Sequence, residues 1–224
     1  MWTLNKAERR YLQAVGLLSL LCTVLFLLRS LLTGHFFFLF IPGNLLLAWT
    51  ALFFGWLLVR HLKVQPWSSW QNIGLWIIWL AFLPNTWYVL TDFIHLNPTG
   101  EVSQLFDIVL IYSLVTTGFI LGFTSLYLVH KEVLSRVGEL VSNLFVALII
   151  LMSSFAIYLG RDLRWSTWDV VANPGGLILN VSDRALDPFG HPRAINVTIL
   201  FFLTLSTTYF AFWIFVRPTH SKKR

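Results

Sequence analysis

The sequence predicts an all-α membrane bundle of about six transmembrane helices, with a short interfacial helix in one long connection. Three observations predict it. Six apolar stretches, each near the ~20 residues that cross a bilayer, fill most of the 224 residues. The composition is 57% hydrophobic and 12% charged, against about 25% charged in soluble chains. Seven of the ten acidic residues (Asp92, Glu101, Asp107, Asp162, Asp169, Asp183 and Asp187) fall in or beside alternate connections.

Taken in order, the spans run Tyr11 to Thr33, Phe36 to Val59, Gln71 to Asp92, Ser103 to Val129, Gly138 to Gly160 and Ala194 to Val216. Residues 1–224 read as one transmembrane domain, with no repeat and no soluble module. The first stretch follows Lys6, Arg9 and Arg10 as a signal peptide would, but it lacks a small-x-small cleavage site and reads as a retained span. Pro42 predicts a kink in the second span and Pro84 a break in the third. Residues 161–193 are too long for a turn. Within them Asn173-Pro174 reads as an N-cap and a proline at the first helical position, placing Leu177, Ile178, Val181 and Ala185 on one face. An amphipathic helix on the outer leaflet fits this pattern. A hairpin re-entering the membrane at Gly175-Gly176 is the alternative.

Arg60/Lys63, Lys131/Arg136 and the two ends of the chain carry the basic residues of the other connections. The positive-inside rule therefore expects both termini in the cytoplasm of a plasma membrane, the acidic connections facing outward. The excess positive charge is explained by span-end Lys and Arg beside anionic lipid. Membrane lipids are the expected partners, and no nucleic acid is. Cys22, the only cysteine, excludes an internal disulfide and a Cys-rich metal centre. No zinc-type His-Glu-x-x-His, phosphate-binding glycine loop or Gly-x-Ser-x-Gly elbow is present, so no metal site is expected and no cofactor can be read.

Two polar clusters fall at outer span ends. In the first, LPNTWYVLTDFIHL, an α-helix would set Asn85, Tyr88, Asp92 and His95 on one face turned to the bundle interior. Pro84 would free the Leu80 carbonyl just before them. Asp92 and His95, three residues apart, have a spacing that suits two ligands on one ion; in a catalytic reading Asp92 is the general base and His95 its partner or the general acid. In the second, YLGRDLRWSTWD, a helix continuing past Gly160 would align Tyr158, Arg161, Asp162, Trp165 and Asp169. Arg161 or Arg164 is the natural fork for the Asp92 carboxylate. Arg29, the one basic residue inside a span, needs a carboxylate, with Asp107 or Asp92 as candidates.

These two stretches resemble the bacterial membrane family catalogued as domain of unknown function 1361. The resemblance rests on Pro84, Asn85, Tyr88, Thr91, Asp92 and His95 in the first stretch. In the second it rests on Gly160, Arg161, Arg164, Trp165, Trp168 and Asp169. Thr86-Trp87 departs from the small-residue-and-proline pair of that family, and Ser166-Thr167 from Asn-Ser. The resemblance implies the multi-span architecture and marks residues; it implies no activity.

Each candidate also has a structural reading. Asp92 with an arginine can be a pair that fixes geometry. Asn85 and Tyr88 can serve the carbonyls freed by Pro84. Asp107 suits a helix first turn, and Trp165 and Trp168 suit the aromatic belt. The leading functional expectation is an outer-leaflet polar pocket, lined by Asn85, Tyr88, Arg161, Arg164, Trp165, Asp169, Asp107 and Arg29, that binds or modifies an amphiphilic lipid or isoprenoid. A small-solute transporter or channel and a non-catalytic assembly partner are the alternatives. Transport would need polar residues reaching the inner side, where the spans read as apolar.

Overall fold

A computed structural model describes residues 5–96, 102–166, 168–187 and 189–216. Trp2, Thr99, Glu101, Thr167, Pro188 and the basic tail from Arg217 onward lie outside the described residues. The described chain is helical: α1 (Lys6–Thr33), α2 (Phe40–Leu62), α3 (Trp70–Phe82), α4 (Asn85–Tyr88), a 3₁₀ helix (Val89–His95), α5 (Gln104–Val137), α6 (Glu139–Asp162), α7 (Asp169–Ala172), α8 (Pro174–Leu186) and α9 (Pro192–Val216). Six stretches are long and apolar enough to cross a membrane, counting Trp70–His95 as one interrupted helix. Their outward faces carry large apolar side chains such as Leu31, Leu46, Leu144 and Phe215, a surface that only lipid tolerates on this scale. The protein is a multi-pass membrane protein.

The chain forms two compact units, Met1–Val129 and His130–Arg224. In the first, α1 begins with a capping box: Asn5 Oδ1 accepts from Glu8 N at 2.8 Å and Asn5 N donates to Glu8 Oε2 at 2.9 Å. It ends at Gly34 in the left-handed conformation, φ 69°, where glycine has no steric cost. The expected kink at Pro42 does not form. Residues 36–39 turn before the helix, α2 starts at Phe40, and Pro42 lies in its first turn. A proline there removes no helical hydrogen bond, because first-turn N–H groups have no intrahelical acceptor.

Pro84 does break the third span. Thr86 N–H turns to the Leu83 carbonyl and Tyr88 N–H to Pro84, and the chain tightens into the 3₁₀ helix over Val89–His95. The interior-facing side differs from expectation. Thr86, Trp87, Val89 and Asp92 are buried, whereas Asn85, Tyr88 and His95 are only half-buried. The cause lies on α5. Gly118 and Gly122 form a groove for the broken segment: a Cβ on Gly118 would stand 2.6 Å from the Thr86 carbonyl oxygen, and one on Gly122 would overlap the Thr86 hydroxyl. Small residues one turn apart allow this close approach in a membrane. A hydrogen-bonded chain joins α2, α3 and α5 nearby, with Trp79 Nε1 donating to Ser125 Oγ at 2.9 Å and Ser125 Oγ donating to the Ala51 carbonyl at 2.8 Å.

In the second unit α6 and α9 pack together, and α8 is the short helix expected in the long connection. Asn173 Oδ1 accepts from Gly176 N at 3.1 Å, and Pro174 occupies the first turn. Its expected apolar face is divided. Leu177 and Val181 pack with Tyr158, Leu159 and Ala194 of α6 and α9, while Ile178 is exposed; the Ala185 side chain lies outside the described residues.

The groove can be tested directly. Gly118→Ala should destabilise the protein by about 1–3 kcal/mol through overpacking. Gly74→Ala, where nothing lies within 4 Å of a new Cβ, should be neutral or stabilising by up to about 1 kcal/mol. Thermal unfolding in detergent distinguishes them, and equal effects at both positions would remove the groove from the account.

Candidate functional site

The polar residues of the first unit gather where α1 ends, α2 and α5 begin, and the 3₁₀ helix runs. Beneath them lies an apolar cluster including Phe26, Phe38, Ile41, Leu45, Val89 and Leu110. Arg29 and Asp107 pair across α1 and α5, with Nε to Oδ1 at 3.0 Å and Nη2 to Oδ2 at 3.4 Å. The side chains are 1% and 4% exposed, so the guanidinium is neutralised inside the bundle. Its carbon also lies 4.6 Å from the centre of the Phe38 ring, within cation–π range. Of the two carboxylates expected for Arg29, Asp107 is the one that meets it; Asp107 also sits in the first turn of α5, where a negative charge suits the helix dipole.

Asp92 is buried, and its Oδ2 accepts from Asn44 Nδ2 at 2.8 Å. Asn44 follows Pro42-Gly43 and is visible in the sequence as a polar residue inside a span, yet neither motif marks it. The 3₁₀ winding repeats every three residues, so Asp92 and His95 stay on one side of the helix. The His95 ring lies 5.1 Å from that of Phe40. Among the described residues no group of three or more His, Cys, Asp or Glu is placed to hold a metal ion. Asn85 Nδ2 reaches back to the carbonyls of Phe82 at 3.2 Å and Ala81 at 3.4 Å, serving the helix end left by Pro84. Tyr88 offers its backbone carbonyl to the Thr91 hydroxyl at 2.8 Å.

In the second unit α6 stops at Asp162 and does not continue through Asp169. Arg164 takes the left-handed conformation, φ 59°, and Trp165 N–H returns to the Leu159 carbonyl at 3.2 Å. Trp165 still reaches Tyr158 and Leu159 through packing. Asp169 accepts from Ser166 N at 2.6 Å and Ser166 Oγ at 2.8 Å. The backbone N–H first, and the hydroxyl second, hold its carboxyl below the ordinary value of 3.8. Two arginines that the motifs do not mark tie this end together. Arg193 Nη2 meets Asp162 Oδ1 at 2.6 Å. Arg184 donates to the Tyr158 hydroxyl at 3.3 Å and pairs with Asp183 at 3.2 Å, and Asp183 also contacts His191 Nε2 at 3.1 Å. Arg161, half-buried, and Arg164, exposed, have no ion-pair partner among the described residues of this unit.

A family model described as protein of unknown function DUF1361 matches residues 44–214. The chain belongs to that family. The DUF1361 match takes in Asn44, both polar clusters and α8, and leaves all of α1, including Arg29, outside it. No curated protein and no solved structure matches the chain.

The buried pair and the Asp169 turn are each open to measurement. Removing one partner of a buried pair leaves an uncompensated charge, so Arg29→Met or Asp107→Leu alone should cost about 3–5 kcal/mol, while the double variant should recover most of that loss. Unfolding midpoints of the four proteins measure the coupling; additive losses would show the pair to be uncoupled. For Asp169 the folded-state value is depressed, so its contribution is present above 3.8 and lost as pH falls through the lower folded value. The Ser166 amide resonance should therefore move only in that acidic range, and a transition near neutral pH would contradict the Asp169–Ser166 link.

Proposed function

We propose that this protein binds an anionic amphiphile, a lipid or isoprenoid with a charged headgroup, at the end of the second unit that carries Arg161 and Arg164. The observation that supports this reading is the unequal treatment of the arginines. Arg184 and Arg193 are paired with Asp183 and Asp162, whereas Arg161 and Arg164 have no ion-pair partner among the described residues of that unit. An arginine fork suits a phosphate or carboxylate. Ile178, Leu179, Leu186, Phe189 and Trp168 are exposed on the same segment, which suits acyl or isoprenoid chains beside the headgroup. In this reading the membrane is a bacterial plasma membrane, the termini are cytoplasmic and this end faces outward, as the distribution of Lys and Arg supports.

A small-solute transporter is the second reading. One observation favours it: the second unit buries polar residues, His130 and Tyr209, towards the opposite end from these arginines, where the spans read as apolar.

The left-handed turn separates binding from structure. An L-residue at φ near 60° costs about 1 kcal/mol or more relative to glycine, so Arg164→Gly should raise stability while reducing retention of the amphiphile. Lipid mass spectrometry after purification, on the wild type, Arg161→Ala, Arg164→Gly and Asp92→Asn, reads the outcome. Anionic lipid should be lost from both arginine variants and kept by Asp92→Asn. Equal lipid content in all four proteins would overturn the reading. Single cysteines replacing Thr99 and Asp187 should react with an impermeant thiol reagent in intact cells and one replacing Ser135 should not; the reverse pattern would invert the topology.

A further inference from the structure

The end of the second unit where α6 stops carries more charge than its ion pairs use. Arg193 is paired with Asp162, and Arg184 with Asp183, which His191 also contacts. Asp187 accepts from Gly190 N at 2.9 Å and closes the turn beyond α8. Three charged residues take no part in these contacts. They are Arg161 in the last turn of α6, Arg164 just beyond it, and Asp169, and none has an ion-pair partner among the described residues of this unit. Two arginines and one aspartate leave one net positive charge, with a negative group set beside the positive ones.

The backbone holds these residues close together. Trp165 N–H returns to the Leu159 carbonyl at 3.2 Å, so the chain folds back on the last turn of α6 just after Arg164. Asp169 is fixed in its turn: its Oδ2 accepts from Ser166 N and Oγ, and its own N–H reaches the Ser166 carbonyl at 3.1 Å. Ser166 is two residues from Arg164, so the carboxylate stands within about 9 Å of the Arg164 Cα. An arginine side chain and a small headgroup together bridge that distance. The bonds from Ser166 engage one carboxylate oxygen, whereas an ionised carboxylate has acceptor sites on both. The same bonds hold the carboxyl below its ordinary value of 3.8, so the group is negative at neutral pH. Trp168, next to it, is 69% exposed, and the face of an indole attracts cations.

A headgroup that matches this arrangement is negative overall and carries one positive group. A headgroup with no cationic part would be attracted to Arg161 and Arg164 but would bring its charge towards Asp169, which repels it. An ammonium on the same headgroup turns that repulsion into attraction. We propose that the amphiphile held by Arg161 and Arg164 is an anionic lipid whose headgroup bears a primary ammonium, received by Asp169 and Trp168. The inference rests on the binding reading above and narrows it to a class of headgroup. Phosphoserine belongs to that class. Its phosphate and carboxylate suit two arginine forks, and its ammonium suits a carboxylate beside an indole.

Reconstitution of the full chain into vesicles of equal parts phosphatidylserine and phosphatidylglycerol tests this, because the two lipids have equal net charge and differ in the amine. Lipid retained after detergent extraction is counted by mass spectrometry. The wild type should favour phosphatidylserine by roughly three- to thirty-fold, the range of one exposed cation–π contact and one exposed ion pair. Asp169→Asn, whose amide oxygen can still accept from Ser166 N, should lose that preference while keeping its total anionic lipid. Trp168→Leu should weaken the preference. Equal retention of the two lipids by the wild type, with both lost from Arg161→Ala, would overturn the proposal and leave the binding reading standing. Unchanged total lipid in Arg161→Ala would remove that reading and this one with it. The wild-type ratio is decisive by itself, whether or not the Asp169 variant folds.

Discussion

A polar group inside a lipid-facing bundle must find a partner within the protein, and Pro84 creates groups that need one in the middle of the third span. The first unit is arranged around that need. The Asn85 amide turns back to the Ala81 and Phe82 carbonyls, Thr86 donates its hydroxyl to Leu83 at 2.7 Å, and the backbone tightens to a 3₁₀ helix. The tightened segment fits only because α5 presents Gly118 and Gly122 instead of side chains. Asp92 is carried into the interior as a result, and Asn44 meets it there. A single proline thus links the helix break, the glycine groove and the burial of a carboxylate.

The charges are handled differently in the two units. In the first, Arg29, deep in α1, is met by two oxygens of Asp107 and covered by phenylalanine. A buried pair of this kind holds helices in register, and its attraction is largely offset by the cost of taking both charges out of water. In the second, Arg184 and Arg193 are partly or largely exposed partners in pairs that add little stability but tie α8 and the start of α9 to the end of α6. Arg161 and Arg164, which have no ion-pair partner among the described residues of this unit, flank the point where α6 stops. Holding a bulky charged residue at φ 59°, where glycine would be favoured, is a cost without an evident return in packing, and it is the local departure most in need of a functional reason.

Much of the fold is legible in the residues. Run length locates the six spans, and Pro84 and Asn173-Pro174 mark a break and a helix start that both occur. Arg29 declares its need for a carboxylate because it is the only basic residue within a span. Other features depend on information outside the local pattern. Pro42 kinks nothing because α2 starts at Phe40, and the apolar residues 36–39 that hide this start look like span to any hydropathy window. The second cluster reads as one helical face, but the left-handed turn at Arg164 ends the helix and leaves Asp169 capping Ser166. His130 looks like a flanking residue beside Lys131, since its partner Tyr209 stands 79 positions away.

The buried His130 changes how the inner half of the second unit should be regarded. A run of apolar letters averages over its polar members, so Ser142, Ser153, Ser154, Ser206 and Tyr209 disappear into spans that score as hydrophobic. The helices turn several of these residues away from lipid, where Ser142, Ser153, Ser154 and Tyr209 are buried. Small hydroxyl residues at such positions allow helices to approach closely, which by itself is a packing role. An imidazole and a carboxamide are poor choices for packing alone, because each carries hydrogen-bonding capacity that must be met in full. Where packing suffices, a leucine would serve without that demand. The presence of His130 is therefore better explained by the Tyr209 hydroxyl that it meets at 2.9 Å than by the space it fills.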